Sequence, residues 1–385
     1  MAVKILSVDD EVDLELLLTQ YFRRKIRKGE YEFFFAHNGL EALQMLLKHP
    51  DIDIILSDIN MPEMDGLTML AKVNEMRNPA LKVIMVSAYG DMENIRSAMN
   101  NGAFDFATKP IDLDDLQKSI DHAVEQIEFI RSSQKEHEQL EEIQNDLRIA
   151  SEIQHAILPT DKNVLTADKY ELDANMEEAK NVGGDFYDFF KINSTHLGFV
   201  MADVSGKGVP AALFMAVSRT MLKATGMRGL PCGECVKTVN DLLCQENIDG
   251  MFVTVFYGVL DEETGTIEFC NAGHNPPYVV KADGTLQMIP ACGNLVIGAL
   301  EGVPYTGGTI QLGKGDMLFT FTDGVTEAMN EKHELFTEER LEKTLKGNAS
   351  LSTTEIIKTV RQAVKDFVGN AEQSDDITML AIKRK

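Results

Sequence analysis

From Ile111 to Leu158 the chain contains neither glycine nor proline, and Pro110 and Pro159 bound the stretch. Those two residue types most often end or break a helix, so the spacing predicts one long helix. Continuous at 1.5 Å per residue, it spans roughly 70 Å. At 385 residues the chain is too long for one typical domain and comfortable for two. The helix divides it into residues 1–118, a helical linker over residues 119–158, and residues 159–385. Ile120, Val124 and Ile127 form one apolar seam. Leu140, Ile143, Leu147, Ala150 and Ile157 form a second, out of phase with the first across the polar stretch Ser132–Glu138. Sustained seams of this kind predict a dimeric coiled coil, hence a homodimer through the linker. The plainer alternative is a helix whose ends pack on their own domains.

Composition narrows the classes. Hydrophobic residues make up 44% of the chain, enough for real cores. The net charge of −24 repels phosphate backbones and argues against nucleic-acid binding. The longest apolar runs, such as Phe252–Leu260, fall far short of the roughly 20 residues of a membrane span. The strand-like start Val3–Val8 is not preceded by a basic and apolar leader, so a soluble, cytoplasmic protein is expected. Five cysteines argue against a disulfide framework, and the Cys232/Cys235 pair lacks a second pair that would complete a zinc site.

Residues 1–118 alternate short apolar strands with amphipathic helices, the pattern of a doubly wound, (βα)5 parallel sheet. In such sheets the working site lies at the carboxyl ends of the strands. Asp9 and Asp10 follow the first strand, Asp58 the third, Ser87 ends the fourth and Lys109 the fifth. Crowded carboxylates call for a cation, and Mg2+ fits hard oxygen donors. A hydroxyl and an ammonium beside it can hold the oxygens of a phosphoryl group. Together with Asp58-Ile59-Asn60-Met61-Pro62, Asp65-Gly66, Ser87-Ala88-Tyr89-Gly90 and Lys109-Pro110, the pattern resembles the receiver domain of two-component response regulators. The resemblance implies phosphorylation of Asp58 by a histidine kinase. It implies Mg2+ held by Asp10, Asp58 and the Asn60 carbonyl with Asp9 assisting, and a switch through Ser87, Tyr89 and Lys109.

After Pro159 apolar strands follow one another without intervening helices, which predicts an α+β layout of antiparallel sheets with helices outside. Four acidic motifs stand in turn-like settings. They are Gly183-Gly184-Asp185-Phe186-Tyr187-Asp188, Ala202-Asp203-Val204-Ser205-Gly206-Lys207-Gly208, Thr322-Asp323-Gly324 and Ser374-Asp375-Asp376-Ile377-Thr378. Carboxylates without histidine or paired cysteine suit Mg2+ or Mn2+ rather than zinc. Two such ions can activate a water for attack on phosphorus.

In this order, with Asn271-Ala272-Gly273-His274-Asn275-Pro276-Pro277 and the leading helix Ala150–Leu158, the motifs resemble the PPM (PP2C-like) phosphatases of the bacterial sporulation and stress-response branch. That resemblance implies an αββα sandwich and a serine/threonine phosphatase using two divalent metals. It implies Asp185, Asp203, Asp323 and Asp375 as the catalytic acids, with the Val204 carbonyl as a further ligand. The substrate it implies is a phosphorylated STAS-type anti-anti-sigma protein in a partner-switching pathway. The phosphate-gripping arginine of eukaryotic members is missing, and Lys180 is the cation in that region.

Two rivals stand beside this reading. A Gly-Gly-Asp-Phe start is superficially similar to the diguanylate cyclase loop, but Phe186 stands where that loop needs an acid. A pseudo-phosphatase adaptor would bind a partner without catalysis, but it would be expected to have lost metal acids, and all four remain.

Overall fold

The computed structural model describes residues 2–88, 92–159, 167–246 and 250–385. It divides into two compact units, Met1–Ile143 and Gln144–Lys385.

In the first unit the elements run β1 (Val3–Val8), α1 (Val12–Tyr21), α2 (Arg23–Arg27), β2 (Tyr31–Ala36), α3 (Gly39–Lys48), β3 (Ile54–Asp58), α4 (Gly66–Glu75), β4 (Lys82–Ala88), α5 (Met92–Asn100), β5 (Asp105–Lys109) and the start of α6 (Leu113–Ile157), whose residues from Gln144 on belong to the second unit. The strands form one parallel sheet in the order β2-β1-β3-β4-β5. Side chains alternate across a strand, so Ile55 packs with Leu46 of α3 and Leu70 of α4 on one face. Its neighbours Ile54 and Leu56 pack with Leu18 of α1 and Leu116 of α6 on the other. The sheet is thus covered on both faces, as the expected βα alternation requires. Asp65 accepts a hydrogen bond from the Thr68 amide at 2.7 Å and caps α4.

The helix expected from the glycine- and proline-free stretch is present as α6. Its two seams behave differently. Ile120 and Ile127 are buried and Val124 is packed against the receiver core, so the first seam serves its own domain. Leu140 and Ile143 are exposed, and Leu147 and Ala150 are only partly covered.

The second unit contains β6 (Tyr170–Glu177), β7 (Phe186–Lys191), β8 (His196–Val204), α7 (Val209–Gly226), α8 (Cys232–Glu246), β9 (Val253–Asp261), β10 (Thr266–Ala272), β11 (Tyr278–Val280), β12 (Leu286–Met288), β13 (Gly308–Gln311), β14 (Met317–Phe321), α9 (Asp323–Thr326), α10 (Thr337–Lys346), α11 (Thr353–Val368) and β15 (Ile377–Arg384). Two antiparallel sheets result, β13-β10-β9-β8-β7 and β12-β11-β14-β15-β6. Phe199, Met201 and Phe256 of the first meet Val279, Leu318 and Leu380 of the second in a shared core. The outer face of the first sheet packs on Met215 and Leu222 of α7 and Val239 of α8. The outer face of the second packs on Leu341 of α10 and Val360 and Val364 of α11. The layers are helix, sheet, sheet, helix. Cys232 and Cys235 are buried among these apolar residues, and burial raises both thiols above their ordinary range.

Candidate active site and phosphoacceptor site

The receiver acids converge as the strand ends dictate. The ligand oxygens of Asp9, Asp10 and Asp58 all lie within 4.8 Å of one another, the one such acidic trio among the described residues. Asp9 and Asp58 are buried at the ends of β1 and β3, whereas Asp10 is exposed. Lys109, at the end of β5, places its ammonium 2.7 Å from Asp58, 2.9 Å from Asp9 and 3.1 Å from Glu11. Burial alone pushes that ammonium down, but hydrogen bonds to the three carboxylates outweigh it and hold Lys109 above its ordinary range. Burial likewise raises the Asp9 carboxyl, against the Glu11 amide and Lys109, which favour its charge.

The Ser87 hydroxyl is fully buried and has no hydrogen-bond partner among the described residues. A buried unpaired hydroxyl is costly, and an oxygen on Asp58 would satisfy it. The Asn60 amide donates to Asp58 at 3.3 Å. Tyr89 lies outside the described residues. Three carboxylates for one ammonium fit a divalent cation with oxygen ligands.

In the second unit the acids arrive from both sheets. Asp185 immediately precedes β7 and Asp203 lies near the end of β8; the pairing of Phe186 with Ala202 sets them side by side. Asp323 follows β14 and Asp375 precedes β15, and these strands pair Phe321 with Met379. The two sheets are joined at this end. Thr322 and Thr378 donate their hydroxyls to one Asp185 oxygen at 2.7 and 2.6 Å. The Thr378 amide donates in turn to the Thr322 hydroxyl at 3.0 Å.

Asp185 is fully buried, and burial followed by the charge of Asp203 pushes its carboxyl well up. Asp203 is raised to about 7, first by burial and then by Asp323, Asp375 and Asp376. Asp323 is raised by burial, Glu327 and Asp375. Carboxylates that hinder one another's ionisation are what a divalent cation relieves. Hard oxygen donors without thiolate or imidazole fit Mg2+ or Mn2+.

The adjacent acids Asp375 and Asp376, equivalent in sequence, have separate tasks. Asp376 accepts the Ala179 amide at 2.9 Å and the Gly184 amide at 2.8 Å, so both of its oxygens are engaged by backbone. Two glycines permit that closeness. A Cβ on Gly183 would sit 2.3 Å from an Asp376 oxygen, and one on Gly324 would sit 1.9 Å from the Asp376 carbonyl. Asp375 is half-buried and receives the Lys207 ammonium at 2.9 Å, which also donates to the Ser374 carbonyl at 2.7 Å. The hydrogen bond to Asp375 raises the Lys207 ammonium. Both Lys180 and Lys207 are exposed, and it is Lys207 that meets Asp375.

The sequence gives no role to Gln154 or Asp188, while His274 stands in the motif quoted above. Gln154, on the last turns of α6, donates to the Gly183 carbonyl at 2.8 Å and accepts from its amide at 3.2 Å, pinning the loop that carries Asp185. Asp188 is buried against Arg219 at 2.9 Å and Lys223 at 3.6 Å, tying β7 to α7. Burial still outweighs both cations and leaves the Asp188 carboxyl raised. Only the spacing of Asp188 from Asp185 hinted at a role. His274 shapes a turn: its amide donates to Asn271 at 2.8 Å, its carbonyl accepts from Asn271 at 3.0 Å, and its ring meets the Thr254 hydroxyl at 2.9 Å.

Comparison with known proteins agrees with both halves. Residues 5–121 match the response regulator receiver domain, and residues 193–385 match the family described as stage II sporulation protein E (SpoIIE). Protein IcfG of Synechocystis sp. is 31% identical over 266 residues, covering 62% of this chain but only 41% of that protein. Phosphoserine phosphatase RsbU of Bacillus subtilis is 29% identical over 281 residues, covering 71% of this chain and 81% of that one. Among solved structures, the SiaA-PP2C domain of Pseudomonas aeruginosa aligns with a TM-score of 0.57. At 20% identity, over 63% of this chain and 98% of that one, this is a likeness of fold. The chain belongs to the SpoIIE family, its PP2C-type phosphatase domain standing behind a response regulator receiver domain.

Proposed function

We propose that the chain is a response regulator whose output is hydrolysis of phosphoserine or phosphothreonine on a regulatory protein. The observation that carries this reading is the convergence of Asp185, Asp203, Asp323 and Asp375 from two sheets, with Asp203 pushed to about 7 by burial and its acidic neighbours. These four, with the Val204 carbonyl, would hold a pair of Mg2+ or Mn2+ ions. Bound there, the ions would supply an activated water and neutralise charge building on the phosphoryl group. The chain's own residues set the geometry. Thr322 and Thr378 orient Asp185, Asp376 holds the Gly183–Gly184 loop, and Lys207 brings an ammonium to Asp375.

In the receiver, Asp58 would accept a phosphoryl group from a histidine kinase, with Mg2+ on Asp9, Asp10, Asp58 and the Asn60 carbonyl. Ser87 and Lys109 would hold the phosphoryl oxygens, and Tyr89 would respond to them. The likeness to the phosphoserine phosphatase RsbU supports phosphoserine as the group cleaved. A STAS-type anti-anti-sigma protein is the substrate class we favour, and the exposed second seam of α6 supports a homodimer.

The test is direct. Purified protein with Mg2+ or Mn2+ should hydrolyse a phosphoserine protein, and EDTA should abolish this. Asp203→Ala or Asp323→Ala should remove nearly all activity. Full activity in either variant would sink the two-metal reading.

A further inference from the structure

Helix α11 has two chemically distinct faces. Ile356, Ile357, Val360 and Val364 bury against the second sheet. Lys358, Arg361 and Lys365 are exposed at i, i+3 and i+7, one stripe running beside that buried face. This stripe forms a wall of a cavity of about 600 Å3. The cavity is also lined by Gly324, Ser374 and Asp375, so that it includes one of the four phosphatase acids and the neighbour of another, Asp323.

The cavity is built rather than incidental. The Gln373 side-chain amide donates to the Glu177 carbonyl at 2.9 Å and the Asp375 carbonyl at 2.8 Å, fastening the end of β6 to the turn before β15. Arg361 is held by the Glu177 carboxylate. Lys358 and Lys365 have no ion-pair partner among the described residues. Three cations along one cavity stand out in a chain with 61 acidic and 37 basic residues. Such a chain repels an acidic partner over most of its surface, so that partner engages where cations are concentrated.

We propose that this groove docks an acidic segment of the phosphoprotein substrate. It rests on the phosphatase reading above. The phosphorylated residue lies at the Asp323 and Asp375 end, and carboxylates flanking it run along Lys358, Arg361 and Lys365. The stripe is roughly 10 Å long, the reach of about three residues of extended chain. Recognition is thereby moved from a dedicated phosphate-gripping arginine to charges beside the phosphoserine.

The experiment uses the full chain and the double variant Lys358→Glu/Lys365→Glu. Three substrates are compared at low and high salt: a phosphoserine peptide with acidic flanks, one with neutral flanks, and p-nitrophenyl phosphate. The wild type should prefer the acidic peptide by about tenfold in kcat/KM, less so at high salt, as a steered charged encounter requires. The double variant should lose the preference while hydrolysing p-nitrophenyl phosphate at the wild-type rate. Lys358→Gln/Lys365→Gln, a milder change, should lose part of it. Equal rates for both peptides in the wild type, or a preference intact in the double variant, would overturn the docking site. A chain inactive on all three substrates would instead refute the phosphatase reading. Peptide binding followed by fluorescence anisotropy would then still decide the groove, which requires acidic-peptide binding that the double variant loses. An oligonucleotide that outcompetes the acidic peptide on the wild type would overturn the assignment to peptide.

Discussion

Asp185 accepts the Thr322 and Thr378 hydroxyls on a single oxygen, which fixes the orientation of its carboxylate. Groups that orient a ligand in this way set its affinity. Thr378→Val keeps the shape and removes the donor, and should weaken Mn2+ binding by about tenfold to a hundredfold in a direct titration. Unchanged affinity would mean that the hydroxyl serves folding alone. His274 offers a test that involves no metal. Burial pushes its imidazole down to about 4, so the folded state keeps it neutral while the unfolded chain protonates it near 6.5. The native state therefore binds fewer protons between those values, and its stability is lost as pH falls from 6.5 toward 4. The loss from this residue is at most about 3 kcal/mol. Urea midpoints of the C-terminal unit at pH 7.5 and 4.5 should differ more in the wild type than in His274→Gln. An equal difference would show that His274 titrates normally.

The end of α6 is more than a connector. Gln154 satisfies both the amide and the carbonyl of Gly183, two residues before Asp185. Gln154→Leu leaves two backbone groups without their partner, a local cost of about 1–3 kcal/mol for each that stays buried. Hydrogen exchange should speed up over residues 183–185 and Mn2+ affinity should fall, while protection elsewhere in the domain is kept. Unaltered exchange there would make the Gln154 contact incidental. The earlier part of α6 obeys a different constraint. Leu116, Ile120 and Ile127 belong to the receiver core, so a coiled coil can draw only on the later seam around Leu140 and Ile143.

For the whole molecule, the proposal requires that Asp58 phosphorylation alter phosphatase activity. The polar stretch Ser132–Glu138 lies within an unbroken helix, and a helix with two packing states can pass on a rotation or a register change. A coupling of about 1–3 kcal/mol corresponds to a several-fold to hundredfold change. Insertions of one to four residues within Ser132–Glu138 should give responses to a small phosphodonor that vary with length, partly recovering near four residues, about one turn. Identical responses at every length would make the linker a passive tether.

Much of this molecule could be read from local pattern. Strand–helix alternation, the placing of Asp9, Asp58, Ser87 and Lys109 at strand ends, and the glycine-flanked acids around Asp185, Asp203 and Asp323 are all properties of short stretches. Some elements were illegible for the same reason. β12 and β13 are three and four residues long, and α10 buries only Leu341 and Leu345 in a polar sequence. Other features depend on contacts between distant residues. Thr378 reaches Asp185 across 193 positions, and Gly184 claims Asp376 across 192. Lys207, rather than Lys180, meets Asp375 across 168. The separation of Asp375 from Asp376 and the burial of the first seam belong to this class too. Sheet packing settles each of them, because a hydrogen bond or a buried side chain depends on which atoms are brought within a few ångströms, and local periodicity carries no record of that.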